Sequence, residues 1–185
     1  MAMTGFAYAL TWNDFGSQVP RTADAGTFAF VKTNFSANAG WSFDVIEGAR
    51  VYKVDSATAA VSVHRTGMWA RATGRTAALL RHEQGHYDIS ALLVRQAEQE
   101  HTALIGTTYN SEQEVMTAIN DVRTPLFNLI NQLQSSANGD GTYDVSTDHG
   151  LNASTQGQWN RAFAACRADP VGRLQASLTA AGITI

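Results

Sequence analysis

Leu79-Leu80-Arg81-His82-Glu83-Gln84-Gly85-His86-Tyr87-Asp88-Ile89 is the stretch on which the reading of this chain turns. His82-Glu83-Gln84-Gly85-His86 fits H-E-x-x-H, in which two histidines four residues apart stack on one helix face and reach a single metal ion. A catalytic zinc takes three protein ligands and keeps its fourth position for water, whose pKa falls to about 7. Glu83 lies next to His82 and slightly around the helix, so it is the candidate general base for that water. Leu79, His82, His86, Ile89, Leu93 and Ala97 recur at helical spacing, which puts both histidines on the inward face. Glycine inside a helix costs about 1 kcal/mol relative to alanine, so Gly85 predicts close approach by another element or by a substrate backbone.

Working outward, the helix should start near Thr73 or Thr76 and run to about Ile105, with Gly106 as its stop. His101 falls near its C-terminus, about 22 Å from His86 at 1.5 Å per residue, too far to share an ion. Upstream, Phe6 to Trp12, Thr27 to Asn34, Trp41 to Ile46, Arg50 to Val54 and Ala59 to His64 read as strands. Ser36 to Gly40 reads as a loop between two of them, and Asp55-Ser56 as a turn. His64, at a strand end, is expected at the surface or in packing, and Trp69 in the core.

Downstream, Ser111-Glu112-Gln113-Glu114 has capping-box spacing and opens a second helix carrying Val115, Ile119 and Val122. At Thr124-Pro125 that helix either kinks or gives way to a new one through Leu126, Leu129, Ile130 and Leu133. Ser135 to Thr142 is a polar loop. Asn138, Asp140, Thr142 and Asp144 alternate as in a calcium loop, but Tyr143 and His149 stand where an EF-hand needs glycine and an acid. Ser154 is placed to cap a helix with Gln156, Trp159, Phe163 and Cys166, and Asp169-Pro170 to open a terminal helix to Ala181 and Gly182. The fold class is therefore α+β, one domain over residues 1–185, mainly β to about 65 and mainly α from 73.

Composition narrows the function classes. With 44% hydrophobic residues, a core can form, and a formal net charge of -3 with no basic run gives no reason to expect a nucleic-acid partner. The single Cys166 excludes an intrachain disulfide and a cysteine-built zinc site. Residues Met1 to Phe6 lack a basic segment leading into an apolar core, and no 18 consecutive apolar residues occur, so a soluble chain without a membrane span is expected.

A third zinc ligand has to come from another element. His149 is the best candidate, because it follows a loop and helix pair able to fold back and sits in a polar cluster. Asp144 is the rival; if it is not a ligand, it is a carboxylate orienting an imidazole. Tyr143 and Tyr87 are candidate hydrogen-bond donors to an oxyanion, with structural roles the simpler expectation.

Leu10-Thr11-Trp12-Asn13-Asp14-Phe15, then Leu80 to Ile89, then Tyr143-Asp144 with Thr147 and His149, then Gln156 and Trp159, together resemble the DUF922 group of bacterial proteins, predicted secreted zinc-dependent proteases. The resemblance runs in order over roughly residues 10 to 160. It implies a zincin-like fold, with an antiparallel sheet packed on the metal helix, a Zn2+ cofactor, a peptide or protein substrate, and export. Gly141-Thr142-Tyr143-Asp144 is also similar to the G-T-x-D start of the aspzincin motif, whose aspartate binds zinc, although Thr147 replaces the tyrosine expected downstream. The reading reached is a zinc metalloprotease in which Glu83 activates water and His82, His86 and either His149 or Asp144 hold the metal. The alternatives are a zinc amidase acting on cell-wall or small-molecule amides, and a non-catalytic zinc-stabilised binding domain.

Overall fold

The computed structural model describes residues 6–136 and 139–185. Met1–Gly5 and Asn138, on which parts of the leader and calcium-loop readings rest, lie outside the described residues. Five α-helices and a three-stranded antiparallel sheet make up an α+β fold among those residues.

The sheet is dominated by one long hairpin, β2 (Thr33–Ile46) against β3 (Ala49–Val63), closed at Glu47-Gly48. Both turn residues have positive φ, 52° and 82°, the condition for a two-residue turn whose twist matches the strands. Here the structure corrects the sequence reading twice. Residues 36–40 are not a loop but part of β2, and Asp55-Ser56 is not a turn but part of β3. Gly40 pairs with Ser56 and Trp41 with Val54, which leaves Asp55 as the extra residue of a β-bulge. Small polar residues signal a bulge as readily as a turn, and only strand pairing separates the two.

Thr27 to Asn34 contributes a two-residue strand, β1 (Ala29–Phe30), before β2 begins; β1 pairs antiparallel with β4 (Trp69–Ala70). Phe6 to Trp12 forms no strand. Its alternating pattern suits one, but the backbone is engaged by a side chain instead: the Leu10 N–H donates to Gln84 Oε1, and Gln84 Nε2 donates to the Tyr8 carbonyl, both at 2.8 Å. The amide of Gln84 thus takes the place of a neighbouring peptide unit. A 3-10 turn, Trp12–Asp14, follows, with buried Asp14 accepting from Tyr8, Thr11 and Arg65. Trp69 is buried, as expected.

Helix α1 (Ala77–Ala103) begins at Thr76, whose hydroxyl accepts from the Leu79 N–H, and the chain leaves it through Gly106 at φ 85°. It lies across β2 and β3. Ile89, Leu92, Leu93, Val94 and Ala97 enter the main core with Leu133, Trp159 and Phe163. A short β5 (Thr108–Tyr109) adds to β3. Helix α2 (Glu112–Gln134) is continuous through Pro125, capped by Ser111, while Glu114 accepts from the Asn110 N–H.

Two-residue strands β6 (Ser135–Ser136) and β7 (Gly139–Asp140) lead into α3 (Thr142–Thr147). Helix α4 (Ala153–Ala168) is capped by Asn152 rather than Ser154. The terminal helix α5 (Leu174–Ala180) starts later than Asp169-Pro170 predicts. Asp169 instead closes a turn, accepting from Val171 through its side chain and from Gly172 through its carbonyl. Among the described residues no helix is long and apolar enough to cross a membrane.

Candidate metal centre

Two elements distant in sequence build the site. Helix α1 presents His82 and His86, and α3 presents Asp144. Gly141 precedes α3 because a Cβ there would overlap the backbone of Leu133 to Ser135, so its absence lets α3 press onto the end of α2. Gly85 answers the same need from the opposite side. A side chain on it would overlap the Tyr143 hydroxyl, which donates to the His82 carbonyl and accepts from Gln156 Nε2. The close approach expected of Gly85 is made by Tyr143, which is fully buried. Burial pushes its phenol pKa up.

The donors converge. Asp144 Oδ1 lies 3.0 Å from Nε2 of His82 and 3.0 Å from Nε2 of His86, and the three atoms lie within 4.8 Å of one another. Donors about 2.0–2.1 Å from a tetrahedral zinc stand about 3.3 Å apart, so two nitrogens and one oxygen at this spacing fit such an ion after small adjustment. His82 is oriented from behind. Its Nδ1 lies 3.2 Å from Gln156 Oε1 and 3.3 Å from Thr147 Oγ1, and its ring stacks on Tyr143 at 4.7 Å. Holding Nδ1 in this way leaves Nε2 as the atom that faces Asp144 and could take a metal.

Electrostatics match this geometry. Burial alone would raise the Asp144 carboxyl, but the hydrogen bonds from His82 and His86 outweigh it and hold the group well below the ordinary carboxylate range. Burial opposes charge on His86, yet the Asp144 carboxylate overcomes it and raises the imidazole. Glu83, 4% exposed, accepts at Oε2 from the Val31 N–H at 3.0 Å. Burial lifts its carboxyl, only partly offset by His86 and His82.

His149 sits further out. Residues 148–150 have φ of 49°, 51° and 85°, a left-handed run that turns the chain back over the site. A Cβ on Gly150 would stand 2.8 Å from that of His82. The His149 side chain is half exposed, with Nε2 3.4 Å from Asp140 and Nδ1 3.7 Å from Asp144 Oδ1. Asp140, Asp144 and His149 form a second, more exposed group of metal-competent atoms sharing Asp144. Tyr87 is wholly buried, its hydroxyl has no partner among the described residues, and burial raises its pKa to about 12. His64 lies apart, its Nε2 3.0 Å from Thr66 Oγ1.

Sequence reasoning assigned no part in the site to three polar side chains. Gln156 and Thr147 hold His82. Gln84 ties the helix to residues 8–10 and donates to Asp88, which also pairs with Arg167. Nothing in their spacing marks them, because each acts on a group that the fold brings from more than sixty residues away.

The donor group opens into a cleft of about 720 Å³ between residues 26–35, the start of α1, the end of α2 and residues 140–151. No protein family, no curated protein and no solved structure matches the chain.

Proposed function

We propose that this chain is a zinc-dependent metallopeptidase with a zincin-like arrangement of sheet and metal helix. The observation that carries the reading is the convergence of His82, His86 and Asp144 at 3.0 Å beside the buried carboxylate of Glu83, at the base of an open cleft. His82 Nε2, His86 Nε2 and Asp144 Oδ1 would hold the ion, and Asp144 takes the third place ahead of His149 because its oxygen already touches both imidazoles. When bound, zinc supplies Lewis acidity, acidifying water and polarising a carbonyl.

Glu83 accepts one proton from the attacking water as oxygen bonds to the carbonyl carbon. It delivers that proton to the nitrogen as the C–N bond breaks. Burial lifts the Glu83 carboxyl, the direction that suits a base and acid cycling near neutral pH. The Val31 N–H fixes one carboxylate oxygen, and Glu83 lines the cleft. Gln156 and Thr147 hold His82 in register, and Tyr143 is a structural prop rather than an oxyanion donor, since its hydroxyl is spent on His82 and Gln156.

A zinc-stabilised binding domain is the second reading. It draws on His149, whose approach to within 3.7 Å of Asp144 would close the site with four protein ligands if the ring swung inward. Hydrolysis of an unfolded protein by the zinc-loaded parent, compared with Glu83→Gln, separates the two. The peptidase reading expects cleavage that falls by about 10²–10⁴-fold in the variant while zinc is retained. Absence of hydrolysis, with loss of the fold on chelation, would establish the binding domain instead.

A further inference from the structure

The cleft carries an apolar wall that the metal group does not use. Phe28 and Phe30 stand two residues apart on an extended segment and so share one face; they are 45% and 47% exposed. Leu151 follows directly on the Gly150 turn and is 80% exposed. Leu79, three residues before His82, lines the same space. Single exposed hydrophobic residues are ordinary, but several large ones gathered around one cleft mark a binding surface. The charges agree. Apart from Glu83, Asp144 and the histidines, the described residues of the lining include one cation, Lys32, and one anion, Asp140, so they concentrate no charge that would select a charged side chain.

We propose that the substrate residue flanking the scissile bond is bulky and apolar, aromatic or leucine-like, and that Phe28, Phe30 and Leu151 receive it. This rests on the peptidase reading and specifies its substrate class. A cleft of about 720 Å³ holds such a side chain together with backbone on either side of it. Leu151 has almost no packing role, so changing it should spare the fold. Phe30 stacks on Trp69 with centroids 6.4 Å apart and carries more risk.

The test uses two dipeptide hydroxamates, identical except for phenylalanine or alanine beside the metal-binding group, titrated into zinc-loaded protein by calorimetry. The parent should bind the phenylalanine compound at least about 10-fold more tightly. Leu151→Ser and Phe30→Ser should each cut that ratio severalfold without changing zinc content or the affinity of the alanine compound. Equal affinities in the parent, binding of neither compound, or an unchanged ratio in both variants would overturn the inference. Peptides flanked by phenylalanine and by alanine are then offered to the same protein. Discrimination between the hydroxamates with every peptide left intact would sink the hydrolytic reading and leave the pocket standing. Cleavage without preference would do the reverse.

Discussion

Helix α1 buries histidines toward both ends, and their surroundings differ in kind. Near its start, His82 and His86 face a carboxylate delivered by α3, and the space beyond opens into a cleft. Near its end, His101 is fully buried with Nε2 3.1 Å from the Ile119 carbonyl, while Nδ1 has no partner among the described residues. Both ends share helix and burial. What separates them is the partner: a backbone carbonyl spends one imidazole nitrogen on packing, whereas a convergent carboxylate gathers several donors at one point. A group of side chains able to hold a metal therefore depends on what another element brings to the helix, and among the described residues α3 brings a carboxylate to the first end of α1 alone.

The difference between the two ends of α1 rests on the contact that joins α3 to it. Gly85→Ala places a methyl group where the Tyr143 hydroxyl sits, so Tyr143 and Asp144 must retreat together. Thermal denaturation of the metal-free variant should show a loss of about 1–3 kcal/mol, the usual cost of overpacking, and zinc titration a marked loss of affinity. Full affinity at unchanged stability would show that α3 is not held by this contact.

A smaller effect is expected from Gln156→Leu, which removes the acceptor facing His82 Nδ1 but leaves all three donors. Competition with a chromophoric chelator should show zinc affinity down by about 10–100-fold, the usual cost of losing a ligand's orienting partner. No change would mean that Thr147 alone holds the ring.

The smallest effect is in pH dependence. His86 is raised in the folded state, so its contribution to metal-free stability is complete below about pH 6.5 and fades as pH rises through the folded value. Asp144 is depressed, so its contribution is present above about pH 3.9 and is lost as pH falls through its folded value. The metal-free protein should gain most from this pair between those limits. Zinc competes for the same nitrogen, so the shift in melting temperature on adding zinc should grow from about pH 5 to about pH 8. A shift that shrinks over that range would remove His86 from the site.

Local chemistry makes part of this fold legible in the sequence, and long-range pairing hides the rest. Helix α1 is readable from Thr76 to Gly106 because capping and chain reversal are local chemistry. The hairpin is not, because a bulge at Asp55 and a turn use the same residues and differ in long-range pairing alone. Phe6 to Trp12 has strand periodicity, but Gln84, seventy-odd residues away, occupies its backbone. Asp169-Pro170 carries helix-start chemistry that a turn satisfies equally well. In the site, His82, Glu83 and His86 follow from spacing, since one helix turn fixes their relation. The sequence ranks His149 ahead of Asp144 as third ligand, whereas the fold brings Asp144 to both imidazoles and leaves His149 further out, because a left-handed run at residues 148–150 aims the chain.

The most direct test of the account is zinc content per chain after purification without chelator, measured for the parent and for Asp144→Ala, His149→Ala and His101→Ala. About one zinc is expected in the parent, in His149→Ala and in His101→Ala, and essentially none in Asp144→Ala. A parent that takes up no zinc even when supplied with it, or zinc kept by Asp144→Ala and lost by His149→Ala, would contradict it.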